Sequence, residues 1–187
     1  MQTIFTLLPI LPSLFPALTT AACIGPPVNT ATLSLIKSFE TFQAAVYDDG
    51  YGNPTIGYGH LCPDWSCSDI SYPQPLSESD AVNLLADDLA GYQNAVTTSL
   101  ATPVVLNANQ YGALVSWTFN VGSGAMGSSS LVSRMNAGED VGVVASEELP
   151  KWKYANGEVS NGLVRRRAAE VELFNTASSV GALPVGC

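Results

Sequence analysis

The sequence predicts an α+β domain with a helical majority. Three observations carry that prediction. Apolar residues recur at helical spacing in several segments from residue 78 onward. A glycine- and aromatic-rich stretch at 45–60, "AVYDDGYGNPTIGYGH", precedes them and reads as a small sheet. Strand-forming sequence thus comes early and helices follow in a run, rather than alternating as in a parallel α/β fold.

The first helix is expected over 29–43, capped by Asn29 or Thr30, with Leu35, Phe39 and Phe42 at helical spacing. The stretch at 45–60 reads as a twisted sheet, with Asp49-Gly50 as a hairpin signal. A proline-rich loop runs on to about residue 75. Ser77-x-x-Asp80 resembles a capping box and opens a helix over 78–100, striped by Val82, Leu85, Leu89, Tyr92 and Val96. A further helix covers 108–121, with Tyr111, Leu114, Val115 and Phe119 periodic and Gly122 as the stop. Shorter helices are expected at 129–137, 140–148 and 161–176.

The first 22 residues carry no charged side chain, and Pro9, Pro12 and Pro16 interrupt their apolar run. Small residues follow at Ala17, Thr19, Ala21 and Ala22. This reads as a secretion signal over 1–22, cleaved near 19–22, and not as a membrane-spanning helix. The remainder, 23–187, is long enough for one domain with its own core. The expected product is a secreted, extracellular monomer that does not insert into a membrane.

Four cysteines allow three pairings. Cys62 and Cys67 close a short loop through "PDWS", leaving Cys23 and Cys187 to join the two ends of the domain. With one histidine and scattered cysteines, neither a metal nor a cofactor is expected. The net charge of −9 argues against nucleic acid and anionic membranes as partners. It also suggests activity displaced toward acidic pH. Five of the seven basic residues lie late, at Lys151, Lys153, Arg165, Arg166 and Arg167.

The stretch from Glu40 to His60 mixes residues that a packed core does not want. Glu40 lies near the end of the first helix, flanked by Phe39 and Phe42. Partial burial and the negative end of the helix dipole both favour its protonated form, which is the form that can donate a proton to a leaving group. Asp49, nine residues on and in a turn, is expected to stay ionised. Two carboxyl groups held in different protonation states are what cleavage of a glycosidic bond requires. Read as one continuous strand, residues 55–60 place Thr55, Gly57 and Gly59 on a nearly bare face open to a ligand, with Ile56, Tyr58 and His60 on the other. The plainer alternatives are a surface glutamate, a turn-forming aspartate and hairpin glycines.

The ordered trio of Glu40, Asp49 and Thr55, the last within "TIGYGH", resembles the catalytic triad of the phage-type lysozymes, glycoside hydrolase family 24. The stretches "ALVSWTFNVGSGAMGSSSLVSRMNAGE" at 113–139 and "GLVRRRAAEVELF" at 162–174 are similar to that family too. The signal and the cysteines look more like its secreted fungal members. The resemblance implies a lysozyme-like fold, in which a small β-containing lobe and a helical lobe flank a cleft. It implies hydrolysis of the β-1,4 bond between N-acetylmuramic acid and N-acetylglucosamine in bacterial peptidoglycan. Glu40 is then the proton donor, Asp49 activates water or stabilises charge, and Thr55 positions the water. A late-helix arginine beside the glutamate is also implied; Arg165, Arg166 and Arg167 compete for that place, with Arg166 preferred. His60 is expected to support the site by hydrogen bonding. Trp65, Trp117 and Trp152 are candidates for stacking on sugars, with Trp117 better suited to the core. Two alternatives share the sequence features: a chitinase, and a non-catalytic secreted carbohydrate-binding defence protein.

Overall fold

Asn29 starts the first helix, its side chain accepting the backbone N–H of Thr32 at 3.0 Å. The computed structural model describes residues 25–100 and 103–185. The expected signal at 1–22 and both Cys23 and Cys187 lie outside the described residues. Helix α1 spans Thr30–Phe39, shorter than the sequence predicts. Glu40 is already extended (φ −105°, ψ 137°), and its N–H closes the last helical bond to Ile36. Phe42 keeps helical spacing only by coincidence, one residue before strand β1 (Gln43–Asp48).

Strands β2 (Pro54–Gly57) and β3 (His60–Leu61) complete an antiparallel sheet in the order β1-β2-β3. The expected continuous strand through residue 60 breaks at Gly57 and Gly59, whose φ values are +66° and +94°. The open glycine face is likewise corrected. A Cβ on Gly57 would lie 3.4 Å from Leu76 and 3.7 Å from Leu84, so this glycine admits the core and not a ligand. Thr55, Ile56 and Tyr58 are buried beside it.

Helix α2 (Glu78–Ser99) begins as predicted, with the Ser77 hydroxyl accepting from Asp80 N–H. A two-residue strand, β4 (Leu106–Asn107), leads into α3 (Ala108–Val121), which opens on a complete capping box from Asn107 and Gln110. Every residue from Tyr111 to Thr118 is buried, so α3 is the central helix and its apolar stripe widens to the whole circumference. Helices α1, α2 and α4 (Ser123–Gly127) pack against it. Gly112 lets α1 approach: a Cβ there would collide with the Thr32 side chain.

Helices α5 (Ser130–Asn136) and α6 (Val141–Glu148) follow, joined by a network in which Arg134 pairs with Glu139, Glu147 and Glu148. A short hairpin, β5 (Tyr154–Ala155) and β6 (Glu158–Val159), turns at Asn156 and Gly157. Helix α7 (Asn161–Asn175) then crosses α3. Strand β7 (Gly181–Leu183) pairs with β4 and ties the tail to the start of α3. Cys62 and Cys67 are joined by a disulfide. No helix among the described residues is long and apolar enough to cross a membrane.

Candidate active site

The end of α1 places Glu40 where helix, sheet and late helix meet. Its carboxylate is one-quarter exposed and accepts a hydrogen bond from Arg166 Nη1 at 2.7 Å. Arg166 comes from α7 and is itself buried, its guanidinium 5.6 Å from the Phe39 ring centroid and 6.0 Å from that of Phe119. Of the three candidate arginines it is the one that reaches Glu40. Arg165 points to the surface, and Arg167 is buried against Glu170 and Asn120.

Asp49 follows β1 in a turn that saturates its carboxylate. Oδ1 accepts from the backbone N–H groups of Tyr51 (2.8 Å) and Asn53 (3.2 Å), and Oδ2 accepts from the Asn53 side-chain amide at 2.9 Å. These bonds, the Asn53 amide foremost, hold the carboxyl below the usual aspartate range. Asp49 therefore stays ionised at neutral pH. Thr55 sits across the ladder on β2, buried, with its hydroxyl donating to Asn53 O at 3.3 Å.

Tyr47 lies within electrostatic reach of both carboxylates and is not part of the sequence motif. It faces Thr55 across the β1–β2 ladder. Its phenol is pushed above its ordinary range by burial first, then by the charges of Glu40 and Asp49.

His60 bonds to two aspartates. Its Nδ1 lies 2.8 Å from Asp88 on α2 and its Nε2 3.2 Å from Asp69 after the disulfide loop. The first contact ties the sheet to α2 and the second to the segment that follows the disulfide. The Cys62 and Cys67 sulfurs near it are consumed by their disulfide and offer no thiolate to a metal.

Two grooves flank Leu163. One, of about 370 Å³, runs between Phe39 at the end of α1 and the first turns of α7, with Arg166 in its wall. The other, of about 390 Å³, is lined by Asn120, Lys151, Trp152 and Tyr154. Trp117 is fully buried against Trp152 with ring centroids 5.3 Å apart, which makes it core, whereas Trp65 is exposed on the disulfide loop.

A helical lobe and a small antiparallel sheet meeting at an arginine-held glutamate put the molecule in the lysozyme-like class of α+β folds. The muramidase domain of SpmX from Asticaccaulis excentricus superposes with a TM-score of 0.66 at 35% identity, over 80% of this chain and 98% of that one. The chain belongs to the phage lysozyme family, whose model matches residues 37–170. The endolysin of Bacillus phage PZA is 39% identical over 153 residues, 81% of this chain and 56% of that protein. The endolysin of Acyrthosiphon pisum secondary endosymbiont phage 1 is 34% identical over 80% of this chain and 99% of its own length. The chain spans about half the length of the Bacillus phage relatives, 56% and 55%.

Proposed function

We propose that this chain is a secreted muramidase that cleaves the β-1,4 bond between N-acetylmuramic acid and N-acetylglucosamine in bacterial peptidoglycan. The observation that carries the reading is the pairing of a carboxyl group anchored by a buried arginine, Glu40, with a second carboxylate, Asp49, held ionised by its own turn. Likeness to proteins named endolysin and to a muramidase domain supports the substrate class.

In this reading Glu40 protonates the leaving glycosidic oxygen. Asp49 orients the attacking water or stabilises the positive charge that develops on the sugar ring, and Thr55 helps to place that water. Hydrogen bonds from Asn53 and Tyr51 keep Asp49 charged while the reaction proceeds. Residues 1–22 act as the secretion signal, and 23–187 work as a single-domain, extracellular monomer whose optimum lies on the acidic side, in line with the net charge.

The test is digestion of purified bacterial walls, with the products identified by mass and by reducing-end sugar. N-acetylmuramic acid at the reducing end is the expected result. Glu40→Gln is expected to lower the rate by about 100-fold or more, the scale of general acid catalysis. Equal rates for wild type and variant would remove Glu40 from the mechanism.

A further inference from the structure

Behind Glu40 lies a buried chain of alternating charge that the catalytic motif does not include. Glu170 has no solvent exposure at all. Its Oε1 accepts from the Ser116 hydroxyl on α3 at 3.0 Å, from Arg167 Nη2 at 3.0 Å and from Arg166 Nε at 3.4 Å, while Arg167 Nε lies 2.8 Å from Oε2. Arg166 therefore has an anion at each end, Glu170 on Nε and Glu40 on Nη1. We propose that Glu170 is a positioning residue of this site: its carboxylate anchors the Arg166 guanidinium, which then presents Nη1 to Glu40 in a fixed direction and with a shared charge.

The physical case has two parts. A guanidinium is a rigid plane, so holding Nε on Glu170 and packing its faces near Phe39 and Phe119 settles where Nη1 points. Glu170 can serve as the anchor because it is itself held from two helices, by Ser116 on α3 and by Arg167 on its own α7. The second part is charge. Two arginines face two carboxylates, and among the described residues the ion pairs of Glu170 run to Arg166 and Arg167 alone. From the sheet, Tyr47 is the titratable group that senses Glu40. From α6 and the turn after it, Glu148 pairs with Lys151 and with Arg134 instead. As Glu170 ionises near neutral pH it shares the charge of Arg166; with position 170 neutral at every pH, that charge falls on Glu40 alone.

This inference rests on Glu40 acting as the proton donor, and its test separates the two. The variant is Glu170→Gln in the full chain, with Glu170→Gln/Arg167→Gln as a second variant that removes one charge of each sign and leaves the buried balance intact. The alkaline limb of wall clearing against pH is expected to move to lower pH by on the order of one unit in both. A solely structural role would lower the folded fraction without moving that limb. The second readout needs no activity: the Arg166 Nε–H resonance of the ¹⁵N-labelled wild type, assigned by its loss in Arg166→Lys, is expected to shift with pH in step with the ¹³C carboxyl signal of Glu170. An unmoved limb in a folded, active variant overturns the proposal, as does an Arg166 resonance indifferent to Glu170. A wild type that clears no walls would sink the muramidase reading, while the resonance measurement still decides whether Glu170 holds Arg166.

Discussion

Arg166 Nη1 donates to Glu40 Oε1 at 2.7 Å although 126 residues separate the two in sequence. The contact pins the end of α1 to α7 and thereby orients the carboxyl group assigned to proton donation. Arg166→Met keeps the volume of the side chain and removes its charge, leaving Glu40 without its cation and Glu170 with Arg167 alone. Breaking a buried pair from one side is expected to cost about 3 kcal/mol, read by chemical denaturation. Wall clearing is expected to fall at least tenfold at equal folded concentration. A loss of stability below about 1 kcal/mol would show that the pair contributes nothing to the native fold.

The roles proposed for Asp49 and Thr55 differ, and their variants should separate. Asp49→Asn removes the charge while keeping an acceptor for the backbone N–H groups of Tyr51 and Asn53. Its expected result is a loss of wall clearing of about 100-fold or more with little change in melting temperature, because the turn is exposed. Thr55→Ser keeps a hydroxyl and Thr55→Val removes it at constant shape. Clearing should survive the first and fall with the second. Matching losses in the two would mean that the hydroxyl of Thr55 has no part in the chemistry.

How much of this was legible in the sequence depended on whether a signal was local. Glu40, Asp49 and Thr55 lie within 16 residues, which let a local motif nominate them as a site, and caps such as Asn29 and Ser77 act on their own helix ends, so pattern located those caps. The helices over Glu78–Ser99, Ala108–Val121 and Asn161–Asn175 came close to their expected bounds for the same reason. Gly57 misled because periodicity gives the alternation of a strand but not the turn that ends it, nor that Leu76 and Leu84 would fill the space beside it. The hairpin over Tyr154–Val159 has two-residue strands, too short to show any period. Glu170 stayed hidden because its spacing from Arg166 and Arg167 reads as an ordinary surface ion pair. Only the packing of α7 on α3 takes all three out of water.

The approach of α1 to α3 sets where Glu40 stands, and Gly112 permits it. A Cβ at position 112 would meet the Thr32 side chain, which is fully buried and hydrogen-bonded to Asn29. Gly112→Ala adds a favourable helix former, so propensity alone predicts a gain of about 1 kcal/mol. Overpacking should outweigh it, for a net loss of about 1–3 kcal/mol and weaker wall clearing as α1 is displaced. The double variant Gly112→Ala/Thr32→Ala removes the obstructing atoms and should recover part of both. A stabilised single variant would mean that α1 has room to move without consequence.

Two buried carboxyl groups pull the pH dependence of stability in opposite directions. Lys151, the Ser130 hydroxyl and Arg134 hold Glu148 down to about 2, against an ordinary 4.5. Its contribution is complete above 4.5 and is lost as pH falls toward 2, since the unfolded chain then binds the proton more readily. Burial pushes Glu170 the other way, up to about 7, with Arg167 and Arg166 opposing the shift. Its contribution is complete below 4.5 and is lost as pH rises through 7. Asp88 adds to the same limb, its carboxyl also raised by burial. The melting temperature is therefore expected to peak near pH 4.5–5 and to decline on both sides. In thermal melts at constant ionic strength, Glu148→Gln should flatten the acid side and Glu170→Gln the side between pH 5 and 8, whatever each does to the absolute level. A wild-type melting temperature that climbs steadily from pH 5 to 8 would show that the two arginines overcome burial and keep Glu170 ionised throughout.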